Sequence, residues 1–423
     1  MSRAPQQPVD PLRWCVAMAL AFWALALWNL SLPSRLYFDE VHYIPAARDL
    51  LALSEYSNRE HPLLGKQLMA LGILLLGDNV WGWRIMSTVA GALTLFAVMR
   101  SVWFGTLDRF ATLAAGILVA TGFHLFVHAR IAMLDVFMVC FCALACWQFA
   151  GAVREPETGR RRLILTGVSL GLAMGAKWNA VILAPLPGLA FLVARWFAGR
   201  RRLLLSRRGM PVPGISLLEA FLWLGIVPLL VYWTTFWPGY IYAENPIDAG
   251  ILAHHRDMLD LQTQVLAPHT YQSVWQDWIV NRRSIWYLWE EIDGAWRGVM
   301  LIGNPFTMLA GLPALAWCAW QGLVHRKAAH GAAALLYVVT LGFWIFAAKP
   351  TQFAFHYFLP SVALLTALAL LLADLRKAKI VWLSYGVLAA SVGMFGYFYP
   401  ILSAQALSHS HAFIAWTWLA SWV

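Results

Sequence analysis

Long apolar runs recur along the chain, broken by short polar or basic stretches. Crossing a hydrocarbon layer of ~30 Å takes about 20 helical residues at 1.5 Å each. On that measure eleven segments predict spanning helices: residues 14–33, 80–101, 107–122, 132–152, 162–176, 179–198, 215–236, 299–321, 331–348, 354–373 and 380–399. Two longer intervals remain, 34–79 and 237–298. The pattern predicts an all-α polytopic membrane protein. One transmembrane domain fills residues 1–423, and two larger extracytoplasmic loops carry short interfacial helices.

The apolar stretch Leu63–Gly77 decides the topology. Its helix would cover only ~22 Å, too little to cross, so we place it along the surface. Arg100, Arg109, the Arg154–Arg162 cluster, the Arg200–Arg208 cluster, Arg326, Lys327, Arg376, Lys377 and Lys379 then share one side with the N-terminus. An excess of Lys and Arg marks the cytoplasmic side. The two long loops therefore face outward. Residues 14–33 lack a clear small-x-small cleavage site and read as an uncleaved anchor.

Composition agrees. Of 423 residues, 61% are hydrophobic and 12% charged, against about 45–50% and about 25% in a soluble domain. A soluble enzyme and a disordered chain are excluded. The 24 Trp suit many membrane boundaries. The net charge of +10 is scattered between apolar runs, which argues against a nucleic-acid partner and for contact with membrane lipids. Five Cys, an odd number, all in apolar runs, argue against a disulfide framework.

Candidate chemistry gathers at the outer helix ends. Asp39 and Glu40 directly follow the first span. Adjacent side chains on a helix point about 100° apart, so the two carboxylates face different ways. Asp39 and Tyr43 share a face at i, i+4. His61 and Lys66 open the surface segment, where a cation sits against the helix dipole. Helical rise counted from Arg154 and Arg162 puts Asp135 and Lys177 near the same outer depth. Arg130 and Asp135, five apart, are poor helix partners and each should pair elsewhere. Each cluster alone also fits a bland alternative: a solvated acidic turn, a snorkelling lysine or a boundary ion pair.

Together the motifs resemble the GT-C membrane glycosyltransferases, in their protein O-mannosyltransferase-like branch (glycosyltransferase family 39), of the bacterial type without a lectin-like loop domain. The residues that carry the resemblance are Phe38-Asp39-Glu40 with Tyr43, His61-Pro62-x-x-Gly65-Lys66, Arg130-x-Ala132-Met133-Leu134-Asp135 and Gly175-x-Lys177-Trp178. Weaker signatures follow at Trp286-Tyr287, Gly303-Asn304-Pro305 and His356-Tyr357-Phe358-Leu359-Pro360. One departure is Arg282-Arg283-Ser284-Ile285, where many relatives have Arg-Pro-Ile.

The resemblance implies transfer of a hexose, mannose above all, from a polyprenyl-phosphate donor to a hydroxyl acceptor outside the cytoplasm. Protein Ser/Thr is the first acceptor and a glycolipid or lipopolysaccharide the alternative. It maps the catalytic acids onto Asp39, Glu40 and Asp135, with Asp39 the catalytic aspartate. Phosphate-binding cations map near Lys66, Arg130 and Lys177. Tyr43, His61, Trp178 and His356 complete the expected substrate-binding set. A base must take the acceptor proton, while a phosphate leaving group needs cations rather than an acid. A single displacement inverts configuration. No cofactor beyond the lipid-linked sugar is implied. A divalent metal stays open and unsupported, since His61, His254, His255 and His269 lack an i, i+4 ligand pair. A transporter or flippase is the rival of a different class, and it would place its charges near the bilayer midplane.

Overall fold

The structure is a computed structural model that describes residues 8–199, 203–265 and 267–423. Of the arginine cluster expected at 200–208, Arg200, Arg201 and Arg202 lie outside the described residues.

Every apolar run predicted to span contains helix. Among the described residues seven helices are long and apolar enough to cross a membrane: Val80–Thr106, Leu134–Arg154, Trp178–Ala198, Leu217–Thr234, Ala328–Phe346, Ala354–Lys377 and Val381–Leu402. The protein is an integral membrane protein. Four runs give helices outside that set. Leu12–Leu27 and Arg109–Ala120 are short. Gly159–Ala176 carries three arginines in its first turn, and Pro305–Leu323 contains Pro313.

Caps fix where the long helices begin. The Asn79 side chain accepts the backbone N–H of Trp81 at 2.9 Å and starts the 27-residue helix Val80–Thr106. Asp108 does the same for Arg109–Ala120 through Ala111 N–H at 3.0 Å. Small residues set the closest approaches. A Cβ built on Gly171 would fall 2.6 Å from the Pro228 carbonyl oxygen, so glycine lets Gly159–Ala176 lie against Leu217–Thr234.

Ion pairs gather the basic loops at one end of the bundle. Arg100 holds Asp10 at 2.5 Å, Lys377 holds Asp108 at 2.7 Å and Lys327 meets Asp374 at 3.4 Å. Arg154 donates to the Phe104 carbonyl at 2.8 Å. The opposite end carries the long loops.

The first loop folds as two helices, Glu40–Ala52 and Leu64–Leu76. The second of these has 13 residues, ~20 Å of helix, too short to cross the layer. It leaves Leu71, Leu74, Leu75 and Leu76 exposed and apolar. The second loop carries the helix Ile251–Thr263, one turn at Trp275–Ile279, and an antiparallel hairpin of strands Ile285–Ile292 and Ala295–Leu301. The hairpin corrects the expectation of interfacial helices alone. It also delays the eighth apolar helix, expected from 299, to Pro305. Asp293 and Gly294 turn the hairpin with φ of 52° and 72°, the left-handed pair a two-residue turn requires. Backbone bonds stitch the two loops together, Tyr56 N–H to Glu244 O at 3.0 Å and Glu244 N–H to Ser54 O at 2.8 Å.

Candidate active site

At the loop end lies a cavity of about 660 Å³. Its wall takes Phe38, Asp39 and Tyr43 from the first loop, and Lys177 and Trp178 from the end of Gly159–Ala176. His61, also of the first loop, closes it together with Gln262, Lys349 and His356 from other segments.

Asp39 stands at the start of the helix Glu40–Ala52, right after Phe38, whose φ of 49° is unusual for a bulky residue. The Phe38 ring stacks on Tyr287 of the hairpin with centroids 4.0 Å apart. The turn that presents Asp39 is thus braced from the second loop. One helical turn on, the Tyr43 hydroxyl donates to Asp39 Oδ2 at 3.4 Å. Burial pushes the Asp39 carboxyl above the usual carboxylate range, Lys177 pulls it back, and the charge of Asp135 adds to the rise.

Glu40 points the other way, as the 100° rule requires. It is fully buried against Arg84, which donates to both its oxygens at 2.8 Å. It also accepts the Ala132 N–H at 2.9 Å and the Tyr37 N–H at 3.3 Å. Arg84 spends its remaining N–H groups on the carbonyls of Leu30, Pro33 and Arg35. This knot ties together the chain before Asp39, the helix Val80–Thr106 and the segment leading to Asp135.

Asp135 and Lys177, 42 positions apart, meet at 2.7 Å. The common depth deduced from helical rise brings them into contact. Lys177 faces the cavity, whereas Asp135 sits behind it, and its Oδ1 has no hydrogen-bond partner among the described residues.

Two expected phosphate-binding residues stand away from the wall. Lys66 is buried and donates to the carbonyls of Asn58 at 2.6 Å and His61 at 3.1 Å. Burial lowers its ammonium to about 7. Arg130 is buried and donates to Ala26 O at 2.7 Å, Trp28 O at 2.6 Å and Asn29 O at 3.1 Å. Both hold backbone in place rather than facing open space.

The remaining residues line the cavity. His61 meets the Gln262 amide at 3.3 Å, and burial, reinforced by Lys177 and Lys349, pushes its imidazole well below its ordinary value. Trp178 donates its indole N–H to Tyr232 at 2.7 Å. His356 stacks on Trp344 with centroids 3.8 Å apart and accepts the Phe353 N–H at 3.1 Å.

Sequence reasoning missed Arg84, Gln262 and Lys349. Tyr287 was noted only as part of the aromatic pair Trp286-Tyr287, with no role given to it. Arg84 reads locally as one arginine near a helix start. Arg282 and Arg283, the departure from the family pattern, are off the wall: Arg282 comes within 3.9 Å of Asp277, and Arg283 donates to Thr270 O at 3.1 Å. Among the described residues no group of three His, Cys, Asp or Glu is arranged to hold a metal ion.

A bundle of apolar helices with two stitched outer loops encloses an acidic and basic cavity, and this fold is that of the GT-C membrane glycosyltransferases. The fold matches the S. cerevisiae protein O-mannosyltransferase Pmt1–Pmt2 complex bound to the sugar donor, with a TM-score of 0.84 at 14% identity over 99% of this chain and 93% of that one. ArnT from Cupriavidus metallidurans, bound to undecaprenyl phosphate, matches at 0.60 and 14% identity over 96% and 78%. The family described as dolichyl-phosphate-mannose-protein mannosyltransferase matches residues 60–232. A polyprenol-phosphate-mannose–protein mannosyltransferase of Mycolicibacterium smegmatis is 26% identical over 91% of this chain and 87% of its own. Its namesake in Corynebacterium glutamicum is 26% identical over 78% and 76%. The chain is thus similar to protein O-mannosyltransferases in fold over nearly its whole length and, at lower identity, in sequence.

Proposed function

We propose that the protein moves a mannosyl residue from a polyprenyl-phosphate donor to a Ser or Thr hydroxyl of a secreted or membrane protein, with inversion. The reaction runs on the outer face of a bacterial plasma membrane, with the N-terminus cytoplasmic. The observation that carries the reading is Asp39 on the cavity wall, at the end of the bundle opposite the basic loops. The names of the mycobacterial and corynebacterial relatives supply the donor and the acceptor class.

Asp39 takes the acceptor proton as the hydroxyl oxygen bonds to the anomeric carbon. The bond from that carbon to the phosphate oxygen breaks, and its electron pair leaves with the lipid phosphate. A buried carboxyl with a raised pKa is a stronger base than one in water. Tyr43 orients it through the hydroxyl contact at 3.4 Å. Glu40 acts through Arg84 and the Ala132 N–H by fixing the turn. Lys177 brings positive charge to the wall while Asp135 holds it there. His61, Trp178 and His356 shape the space for the sugar. Lys66 and Arg130, sealed on backbone carbonyls, set the frame.

The test uses the purified protein with polyprenyl-phosphate-mannose, a Ser/Thr-rich peptide and a lipopolysaccharide acceptor. Mass spectrometry should find one hexose on the peptide, and NMR an anomeric configuration opposite to the donor's. Label in lipopolysaccharide alone would reassign the acceptor. Absence of transfer to either would remove the reading.

A further inference from the structure

We propose that Lys349, positioned by Gln262, is the cation that meets the donor's phosphate in this cavity and holds the lipid phosphate after transfer. The proposal rests on the reading above, that the cavity handles a polyprenyl-phosphate-linked sugar.

The wall offers two lysines among the described residues, Lys177 and Lys349. Lys177 is already committed, with Asp135 at 2.7 Å. Lys349 lies in the linker between Ala328–Phe346 and Ala354–Tyr357, at the loop end of the bundle. Its ammonium donates to Gln262 Oε1 at 2.5 Å. Among the described residues no carboxylate comes within ion-pair distance of it. An ammonium carries three N–H donors, so two are left for a ligand.

The surroundings favour an anion. Burial pushes the Lys349 ammonium down to about 8, and the positive charge of Lys177 pushes in the same direction. The charges of Glu60, Asp135 and Asp39 act the other way, to keep it charged. His61 and His356 face the same space, and burial keeps the His61 ring neutral. Two ammonium groups lining one cavity repel, and a phosphate between them relieves that repulsion.

Gln262 explains why Lys349 stays in place. Its amide nitrogen donates to the Glu60 carbonyl at 2.8 Å and meets His61 Nδ1 at 3.3 Å, while its oxygen accepts from Lys349. One side chain thus joins the first loop, the helix Ile251–Thr263 and the Lys349 linker. Gln352 secures that linker from within by donating to the carbonyls of Trp344 at 3.2 Å and Lys349 at 3.3 Å.

The charge change during transfer suits a cation that binds late. The donor is a phosphodiester with one negative charge. As its bond to the anomeric carbon breaks, the phosphate becomes a monoester and gains a second charge, with its last proton lost near pH 6. A lysine on that oxygen is held more tightly in the transition state than in the ground state, so it speeds the step.

The experiment uses the full-length protein in lipid nanodiscs, with undecaprenyl phosphate, uncharged undecaprenol and inorganic phosphate as probes. In Lys349→Met, affinity for undecaprenyl phosphate should fall about ten- to a hundredfold, the loss of a charge-assisted contact. Undecaprenol binding should be unchanged, which also shows that the variant is folded. Lys349→Arg should keep affinity within about threefold, since the charge remains. Wild-type affinity should weaken as pH rises through about 8, and Lys349→Arg should remove that alkaline loss. Gln262→Leu should raise donor KM more than it lowers kcat, the mark of a positioning residue. Wild-type undecaprenyl phosphate affinity in Lys349→Met overturns the proposal. So does inorganic phosphate binding as tightly as the lipid, since that marks a general anion site. Transfer by the wild type with unaltered Lys349→Met kinetics would sink the proposal and leave the mannosyltransferase reading standing. Lys349-dependent lipid phosphate binding without mannosyl transfer would do the reverse.

Discussion

Asp39 and Glu40 are chain neighbours that end in two different regions. Around Glu40 every lone pair and N–H is answered: Arg84, Ala132 and Tyr37 satisfy the carboxylate, and three carbonyls satisfy the guanidinium. Around Asp39, on the cavity wall, one phenol at 3.4 Å is the side-chain hydrogen-bonding neighbour among the described residues. Saturated charge holds a shape, while unsaturated charge at a cavity wall is free to act on a substrate. The same contrast separates the sealed cations Lys66 and Arg130 from Lys349.

The largest break in that comparison comes from the sealed side. Glu40→Gln leaves Arg84 buried without a counter-charge. Loss of one partner of a buried pair costs about 3–5 kcal/mol. The expected outcome is a clear fall in thermal stability in detergent, read by a melting assay, with activity lost in proportion to folded protein. A stable, folded Glu40→Gln variant without activity would move Glu40 into the chemistry itself.

Smaller and more telling are opposite shifts in the pH profile. The base must be ionised, and burial already raises the Asp39 carboxyl, so kcat/KM should fall with acid at a higher pH than an ordinary carboxylate allows. Lys177 pulls that carboxyl down. In Lys177→Met the acid limb should therefore move to higher pH. Asp135 pushes it up, so Asp135→Asn should move the limb lower. Limbs that shift together, or not at all, would separate Asp39 from the proton transfer.

The smallest effect is expected from Tyr43→Phe. It removes one long hydrogen bond to the carboxylate, worth about 1 kcal/mol, a loss of about fivefold in kcat with donor KM unchanged.

Much of this architecture was written in local pattern. Apolar runs located the helices, since desolvation demands them wherever they pack. Helical rise from Arg154 and Arg162 brought Asp135 and Lys177 to one depth, and they form an ion pair. The i, i+4 spacing of Asp39 and Tyr43 appears as a contact. The hairpin was overlooked although Asp293-Gly294 sits between two aromatic-rich stretches, a hairpin signal that the search for helices masked. Partners distant in the chain were illegible in principle. Nothing local tells that Lys66 faces the carbonyls of Asn58 and His61 rather than a phosphate, or that Arg84 reaches Glu40. Lys349 reads as an ordinary loop cation until Gln262, 87 positions away, is seen beside it.

The central claim is that Asp39 is the base of the transfer. Its most direct test is mannosyl transfer by purified Asp39→Asn, with donor binding measured on the same sample. The amide fills the same space without accepting the acceptor's proton. The account predicts donor affinity near that of the wild type and a kcat lower by about 10²–10⁴. Turnover at the wild-type rate would contradict it.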